Sequence, residues 1–303
     1  MDRLIGLDSG GSKTEAVVIN RAGRVLARAR AEGLNPMADD GWQARLGLLA
    51  AELGPVAGAV LGLPCHGEIA AVSALQRAVV AELFGPQAVV MNDVAVAFSG
   101  ALAGEDGVLV LAGTGSMAWA RGPLGTHRVG GWGHLFGDEG SAHWIGRSAL
   151  ALVSQHLDGR KPPSGFAHGL LRELGVAAEE LLGWTYGQNT RAGVASVAAL
   201  VSRLADAGSV EAIGLMHDAA GHLALAGRTA GRLAGLEAAL RWSFAGGVMQ
   251  DATVMAGLTS ALGPPMPPVL RPVGGAALAA AKAARWDIGP AFIAVLQTEL
   301  ART

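Results

Sequence analysis

The order of strand-like and helical segments in the first hundred residues constrains the fold more than any other feature of this sequence. Three short strand-like segments precede the first helical pattern, at Arg3–Asp8, Thr14–Asn20 and Val25–Ala31. Helical and strand-like patterns then alternate along Asp39–Leu53, Ala57–Leu63, Ile69–Phe84, Ala88–Met91 and Val94–Ala103. The predicted order is β-β-β-α-β-α-β-α, and the predicted fold class is therefore α/β.

The rest of the chain begins in the same way and predicts a second domain of the same kind. We expect domains at residues 1–105 and 106–303, with a helical insertion at about 141–235 in the second. The insertion has predicted breaks at Pro162-Pro163 and Gly187. The other predicted elements are strands at Gly107–Ala112, Met117–Arg121, Leu236–Ala245 and Pro267–Arg271, and a helix at Gly275–Ala284.

Composition excludes several classes of protein. The chain has 303 residues, of which 51% are hydrophobic and 16% charged, so general disorder is excluded. A net charge of −2 provides no basic field for binding nucleic acid. One cysteine, Cys65, excludes a disulfide framework within the chain and a metal site of four cysteines. No signal peptide or long apolar run is evident, so we expect a soluble, cytoplasmic protein with no membrane partner.

A glycine-rich turn follows the first predicted strand. Asp8 ends that strand, and the next residues are Ser9-Gly10-Gly11-Ser12-Lys13-Thr14. The motif resembles a P-loop but lacks its spacing, and a strand follows it where a P-loop requires a helix. Backbone N–H groups at the glycines and the hydroxyls of Ser12 and Thr14 can bind a phosphate. An ordinary hairpin turn explains the same residues equally well.

Two further glycine-rich turns follow later strands. Gly113-Thr114-Gly115-Ser116 lies between two predicted strands, and together with the first turn it suggests a phosphate clamp with one part on each domain. Gly246-Gly247 follows Ser243-Phe244-Ala245 and precedes a helical segment, where backbone can approach a flat ligand such as adenine. Considered alone, each of these turns is also compatible with a simple connection between elements.

These motifs together resemble the actin-like ATPase and sugar-kinase superfamily. The segment Gly130–Ala142, Gly-Gly-Trp-Gly-His-Leu-Phe-Gly-Asp-Glu-Gly-Ser-Ala, closely resembles the signature of eukaryotic-type N-acetylglucosamine kinases, which lie within the broader group of BadF-type ATPases. The resemblance covers nearly the whole chain. It implies two actin-like, ribonuclease H-like domains, ATP and Mg²⁺ as cofactors, and transfer of a phosphoryl group to the 6-hydroxyl of an amino sugar, most of all N-acetylglucosamine.

The resemblance also implies roles for individual residues. Asp93, at the end of a predicted strand, matches the family's catalytic base, although the start of a helix also favours Asp as a cap. Asp8 is expected to hold Mg²⁺ through water, and Lys13 to steady the nucleotide phosphates or to remain a solvated turn residue. The positions expected to bind the sugar are Asn35, Gly131, Trp132, Asp138 and Ala142.

Several alternatives remain open on the sequence. Glucosamine, N-acetylmuramic acid and glucose are other acceptors for the same chemistry. A BadF-type ATPase that activates a dehydratase resembles proteins with an iron–sulfur cluster between two subunits, which needs two cysteines per subunit. A sugar-sensing repressor would carry a helix-turn-helix, for which no room exists before the first turn. Relatives of this kind are often homodimers, so we expect a homodimer.

Overall fold

The computed structural model describes residues 2–11, 13–187, 190–236 and 240–302. The chain divides into two compact units. Unit 1 comprises Met1–Asp106 and Pro267–Thr303, and unit 2 comprises Gly107–Met266. Each unit is built around its own sheet, in agreement with the expected α/β class with two β-β-β-α-β-α domains.

Unit 1 contains a five-stranded sheet with the strand order β3-β2-β1-β4-β5. Strands β1, β2 and β3 are antiparallel neighbours, and β4 and β5 extend the sheet parallel to β1. Because β3 also runs in the direction of β1, four strands end at the same edge. The strands are β1 (Leu4–Ser9), β2 (Lys13–Ile19), β3 (Val25–Glu32), β4 (Gly58–Leu63) and β5 (Val89–Asn92).

Helices cover both faces of this sheet. Apolar residues at helical spacing, such as Trp42, Leu46 and Leu49, place one helix against the first face. The opposite face is covered by helices that contribute Val96, Ala277 and Leu296, among others. The helices of unit 1 are α1 (Trp42–Leu53), α2 (Ala70–Phe84), α3 (Asp93–Ala101), and, from the end of the chain, α10 (Pro272–Ala283) and α11 (Pro290–Ala301).

The expected boundary between the domains is correct near residue 106, but the assignment of the whole remainder to the second domain is wrong. Residues 267–303 belong to unit 1. The reason is close packing of α10 on β1. A Cβ at Gly6 would lie 2.6 Å from Cα of Ala277, so the glycine permits backbone contact between strand and helix. Buried Leu278, Leu296 and Leu300 then complete this core.

Unit 2 contains a four-stranded sheet with the order β8-β7-β6-β9, in which β6 and β9 are parallel. The predicted helical insertion lies between β8 and β9 as five helices. The strands are β6 (Gly107–Ala112), β7 (Ser116–Gly122), β8 (Gly125–Gly130) and β9 (Trp242–Ala245). The helices are α4 (Ala142–Leu157), α5 (Gly165–Leu174), α6 (Leu181–Gly187), α7 (Arg191–Asp206), α8 (Val210–Leu233) and α9 (Ala252–Leu262).

Three sequence predictions differ from the structure. Pro267–Arg271 is not a strand, because Val269 and Leu270 donate their N–H groups to the carbonyls of Ala101 and Gly100 at the end of α3. The strand expected over Leu236–Ala245 begins only at Trp242, and its residues 237–239 lie outside the described residues. Strand β8 was not predicted, since its polar residues resemble a loop.

We also examined the helices for membrane spans. Among the described residues, no helix combines the length and the apolar character that crossing a membrane requires.

Candidate active site

Two carboxylates lie at the edge of the unit 1 sheet where its parallel strands end. Asp8 is the penultimate residue of β1, and its register partner on β4 is Gly62. Gly62 pairs with Met91 on β5. Asp93 follows two residues after Met91, as the first residue of α3. The edge formed by the carboxyl ends of the strands is where open α/β sheets bind ligands. Both carboxylates are partly buried there.

The pKa values of both carboxyl groups are raised. Burial raises the pKa of Asp8 to about 7, and the negative charges of Asp93 and Glu15 contribute further. Burial also raises the pKa of Asp93 to about 6, although a hydrogen bond from the Val94 N–H opposes this shift. Like charges at one site disfavour ionisation of both groups. A carboxylate with a pKa near 6 is suited to accept a proton close to neutral pH.

The hydrogen bonds at the start of α3 distinguish the two roles suggested for Asp93, that of a catalytic base and that of a helix cap. The cap of the helix is Asn92, whose side chain accepts a hydrogen bond from the Val94 N–H at 3.0 Å. The Asp93 carboxylate also accepts from Val94, at 2.9 Å, through Oδ1. Because Asn92 already caps the helix, the Asp93 carboxylate is not needed for that purpose.

A loop after β4 supports this edge, and sequence reasoning did not identify it. Asn92 donates from Nδ2 to the His66 carbonyl at 2.9 Å and to Glu68 Oε1 at 3.3 Å. Gln76, which is fully buried, bonds to His66 Nδ1 and to the Pro64 carbonyl. These bonds fix the loop beside Asp93. The signal in the sequence is a polar Gln within an otherwise apolar helix pattern.

The first glycine turn is open to a ligand at its glycines. An added Cβ at Gly10 or Gly11 would meet no atom within 4 Å. The Gly10 N–H closes the turn by donating to the Lys13 carbonyl at 3.0 Å, and Lys13 itself is exposed. Ser12 lies outside the described residues.

The expected role of the Thr14 hydroxyl as a phosphate donor is wrong. Thr14 is buried, and its hydroxyl donates to the Glu32 carbonyl at 2.7 Å. Its oxygen lies 2.8 Å from that of Ser9, which accepts a hydrogen bond from the Leu34 N–H at 2.8 Å. The two hydroxyls therefore join the turn to the segment after β3. They shape the turn and do not present donors to a ligand.

Asn35 lies on that same segment. Its Oδ1 accepts a hydrogen bond from the Met37 N–H at 2.9 Å, and Cys65 Sγ lies 3.8 Å from the same atom. Both Asn35 and Cys65 are partly buried, and Cys65 has a left-handed backbone with φ of 63°. The structure thus brings Asn35 to the loop after β4, at the same edge as Asp93.

A divalent cation fits the chemistry of this edge. In the part of the chain that is described, no group of three or more His, Cys, Asp or Glu side chains could hold a metal ion by itself. Mg²⁺ usually takes one or two carboxylates and completes its shell with water and phosphate oxygens. Asp8 provides such a carboxylate; burial is the main cause of its raised pKa, and the neighbouring negative charges of Asp93 and Glu15, which a cation would neutralise, raise it further.

The second glycine turn, Gly113–Ser116, connects β6 and β7 in unit 2. The Gly113 N–H donates to the Gly115 carbonyl at 2.9 Å, and the Gly113 carbonyl accepts from the N–H of Ala142 at the start of α4. Ser116 is buried, and its hydroxyl donates to the Glu139 carbonyl at 2.7 Å, so it too is structural. Thr114 is exposed at the tip of the turn.

A cavity of about 610 Å³ opens beside this turn, within unit 2. Its wall on α7 is formed by small side chains, and the opposite wall includes Ile145, Met216 and Val248. Such a volume and an apolar lining with a few polar groups are typical of a small-molecule site. The residues of the cavity that were predicted from sequence are Gly113, Thr114, Ala142 and Gly247.

The polar side chains that line the cavity beyond Thr114 were not predicted. Ser196, Ser202, Gln250 and Asp251 line it, and the Ser202 hydroxyl donates to Asp251 Oδ2 at 2.6 Å. Gly246 does not line the cavity. Its φ is 98°, and an added Cβ would lie 2.2 Å from the Ala112 carbonyl oxygen, so the backbone packs closely on the end of β6 here. The following residue, Gly247, lines the cavity.

The residues of unit 2 that are expected to bind the sugar do not all line the same cavity. Ala142 lines the cavity next to Gly113 and Thr114. Gly131, with a φ of 72°, accepts a hydrogen bond from Arg128 Nη2 on its carbonyl at 2.8 Å. Trp132 is 67% exposed, and the Arg128 guanidinium lies 5.4 Å from its ring centroid. Trp132 is therefore available to a ligand and is not a core residue.

Asp138 has a partner that sequence reasoning missed. Its side chain is 4% exposed, and its Oδ2 accepts a hydrogen bond from Arg191 Nη2 at 2.7 Å. Its φ of 56° is left-handed, which is unusual for a residue with a side chain. Arg191 is the first residue of α7, and no motif in the sequence connects it with Asp138.

Comparison with known families identifies the group to which these features belong. The model of the BadF/BadG/BcrA/BcrD ATPase family matches residues 5–280. The chain belongs to this family. The match includes both glycine turns, both carboxylates of unit 1 and the cavity of unit 2, so family membership rests on both units.

Two curated relatives share about a quarter of the aligned residues with this chain. An N-acetylmuramic acid/N-acetylglucosamine kinase from Clostridium acetobutylicum is 26% identical over 74% of this chain and 78% of its own length. An N-acetyl-D-glucosamine kinase from Dictyostelium discoideum is 28% identical over 62% of this chain. The match spans 65% of the length of the second relative, just under two thirds.

Solved structures share the whole fold. A candidate N-acetylglucosamine kinase from Chromobacterium violaceum has a TM-score of 0.75 and 27% identity, over 92% of this chain and 98% of that one. A glucokinase of the ROK family from Streptomyces griseus, in complex with glucose and AMPPNP, has a TM-score of 0.58 at 18% identity. The superposition covers 93% of this chain and 99% of the glucokinase chain. At this identity it supports a shared fold and nothing further.

Proposed function

We propose that this protein is an ATP-dependent kinase of an amino sugar, which converts N-acetyl-D-glucosamine to its 6-phosphate. The observation that carries the proposal is Asp93, a carboxylate with a pKa of about 6 at the ligand-binding edge of a sheet. It lies in a chain whose relatives are named as kinases of N-acetylated amino sugars.

Phosphoryl transfer requires an oriented hydroxyl and a group that takes its proton. Asp93 takes the proton of the sugar 6-hydroxyl as the hydroxyl oxygen bonds to the γ-phosphorus of ATP, and the bond to ADP breaks. The raised pKa of Asp93 favours this role, since a more acidic carboxylate would be a weaker base. Asn35, at the same edge, is positioned to bind sugar hydroxyls.

The nucleotide is assigned to unit 2. The apolar cavity accepts the adenine and ribose, with Ser202 and Asp251 as polar partners, and the Gly113–Ser116 turn receives the phosphates. In unit 1, the open turn at Gly10 and Gly11 and the exposed Lys13 provide further contacts to phosphate. Mg²⁺ held by Asp8, through water, would neutralise negative charge on the phosphates when bound.

N-acetylmuramic acid is a second candidate acceptor. The Clostridium relative is named for both sugars, which favours testing this sugar beside N-acetylglucosamine. Of the positions expected to bind the sugar in unit 2, Gly131 and Trp132 adjoin the Arg128 guanidinium. That cation would suit the lactyl carboxylate by which N-acetylmuramic acid differs.

The test is ADP release coupled to a spectrophotometric assay, with Mg-ATP and each of N-acetylglucosamine, N-acetylmuramic acid, glucosamine, N-acetylmannosamine and glucose. Asp93→Asn is measured beside the wild type. The control is Asp218→Asn, the same chemical change on an exposed residue of α8. We expect kcat on the preferred sugar to fall at least about a hundredfold in Asp93→Asn and to stay unchanged in the control.

Two outcomes would reject the proposal. Release of ADP that no sugar stimulates would exclude kinase activity and favour an ATPase. Sugar-dependent turnover that Asp93→Asn leaves within a few-fold of the wild type would exclude Asp93 as the base.

The assembly and location of the protein are also part of the proposal. We propose a homodimer located in the cytoplasm. Sedimentation equilibrium tests the first, with twice the chain mass expected, and fractionation of cells that express the protein tests the second.

A further inference from the structure

The guanidinium of Arg191 lies directly beside the glycine turn of unit 2. A Cβ at Gly115 would be 2.8 Å from Arg191 Nη2 and 2.8 Å from Asp138 Oδ2. The turn therefore packs against both members of the ion pair, and a side chain at Gly115 would displace it. Gly113 and Thr114 of this turn line the cavity, and so does Ala192, which follows Arg191, so the guanidinium lies next to the cavity without lining it.

Several donors lie close together at this turn. Among the described residues, the N–H groups of Thr114 and Gly115 have no hydrogen-bond acceptor. Arg191 uses one of its five N–H donors on Asp138, and its side chain is 44% exposed. Backbone N–H groups and a neighbouring guanidinium are the elements of an anion site.

Neighbouring charges agree with this assignment. Burial lowers the pKa of His143, the second residue of α4, and the charges of His134, Arg191 and Arg147 lower it further. Arg191 and Arg147 therefore lie close enough to His143 for their positive charges to act on it, and the acid Asp138 acts in the opposite direction.

We propose that Arg191 binds the β-phosphate of the nucleotide and that Asp138 positions it. This inference rests on the proposed function, because it assumes a nucleotide in the cavity of unit 2. The Asp138 carboxylate is buried and accepts one N–H of the guanidinium, which leaves other N–H groups for a ligand. Arg is suited to this arrangement because its rigid, planar fork carries five donors, whereas Lys has three donors on a flexible stem.

The proposal gives Asp138 a role beside the one expected from the family resemblance. Its Oδ2 accepts a hydrogen bond from Arg191, and its remaining acceptor capacity is available to a sugar hydroxyl. Loss of Asp138 should then weaken nucleotide binding even without any sugar, whereas a carboxylate that binds sugar alone would leave nucleotide binding unchanged.

The test is isothermal titration calorimetry of the full chain with ADP, AMP and adenosine, in the absence of sugar. We expect Arg191→Met to weaken ADP binding about 10- to 100-fold and to leave adenosine binding unchanged, because only ADP carries the second phosphate. Arg191→Lys should give an intermediate loss. The matched control is Arg203→Met, which removes an exposed guanidinium from the same helix, α7, where it pairs with Glu173.

A further variant distinguishes weaker nucleotide binding from a loss of stability. Arg191→Met leaves the buried Asp138 carboxylate without its partner, which is destabilising. The double variant Arg191→Met/Asp138→Asn removes that charge as well. It should unfold at a temperature closer to that of the wild type and still bind ADP weakly.

The outcomes separate this inference from the proposed function. Equal affinity for ADP in Arg191→Met and wild type, or an equal loss for ADP and adenosine, would overturn the inference. A wild type that binds no ADP would overturn both proposals. Tight ADP binding that depends on Arg191, in a protein without sugar kinase activity, would support the inference and reject the kinase.

Discussion

The hydroxyl oxygens of Ser9 and Thr14 lie 2.8 Å apart across the first hairpin, and both side chains are buried. Ser9 also bonds to the segment that follows β3, through the Leu34 N–H, and Thr14 bonds to the end of β3 itself, through the Glu32 carbonyl. The conformation of the glycine turn between them therefore depends on a third strand.

Replacing Thr14 by Val should destabilise this hairpin. The variant keeps the shape of the side chain but removes the buried hydrogen bonds of its hydroxyl with the Glu32 carbonyl and the Ser9 hydroxyl, so we expect the free energy of unfolding to fall by about 1–3 kcal/mol. Urea unfolding followed by circular dichroism measures this change. Thr298→Val is the control, since it removes a similar bond, to the Ala294 carbonyl, on the exposed side of α11. A loss no larger than in the control would show that the buried bond is not important.

Asp8 should make stability depend on pH in the absence of divalent cations. Folded Asp8 keeps its proton up to about pH 7, whereas an unfolded Asp loses it near pH 4. The folded state binds more protons in this interval, so its free energy of unfolding falls as the pH rises from 4 to 7. Asp8→Asn removes the ionisation, and we expect the variant to be more stable than the wild type above pH 7 and equally stable below pH 4.

Urea unfolding in EDTA at several pH values between 4 and 8 measures this difference. Asp218→Asn, at an exposed site, should show no such divergence from the wild type. If Asp8→Asn and the wild type keep a constant difference at every pH, the Asp8 carboxyl is not destabilised by burial.

Gly33 should be intolerant of any side chain. A Cβ there would lie 2.6 Å from the Gly11 carbonyl oxygen and 2.7 Å from that of Gly10, so Gly33→Ala must push the first glycine turn outwards. We expect a loss of about 1–3 kcal/mol in the free energy of unfolding and a higher KM for ATP. Gly47→Ala is the control, because an added Cβ in α1 meets no atom within 4 Å and should stabilise the helix slightly. An unchanged KM in Gly33→Ala would separate this turn from nucleotide binding.

Filling the cavity of unit 2 should weaken the binding of the nucleoside itself. Ala199 lines the cavity from α7, so Ala199→Leu should reduce the affinities for ADP and adenosine by similar factors. Loss of Arg191 should instead affect ADP alone, so calorimetry distinguishes the two sites. Ala151→Leu, on an exposed position of α4, provides the matched control. Unchanged adenosine binding in Ala199→Leu would place the nucleoside elsewhere.

The strand ends that carry carboxylates and the glycine turns could be predicted from the sequence, because each depends on only a few adjacent residues. Asp8 and Asp93 were placed correctly at strand ends because an acid after an apolar strand of a parallel sheet necessarily lies at its carboxyl edge. The glycine turns were recognised for a similar reason. Turn composition and strand periodicity are both properties of a few adjacent residues.

Contacts between distant residues were not predictable in this way. Arg191 and Asp138 are 53 positions apart, and their pairing depends on how α7 packs beside the second turn. The Thr14 and Ser116 hydroxyls donate to carbonyls of residues 18 and 23 positions further along the chain. A hydroxyl that binds phosphate and one that binds a carbonyl look identical in a sequence.

The return of the chain to unit 1 has a consequence for its synthesis on the ribosome. Leu4, Val17 and Val60 are made early, but the residues that cover them, such as Leu278 and Leu296, emerge only after unit 2. All of unit 2 is translated in between and has its complete sheet and core before then. The nascent first segment must therefore keep one apolar face of its sheet uncovered until those residues are made, and chaperones have reason to bind it during this interval.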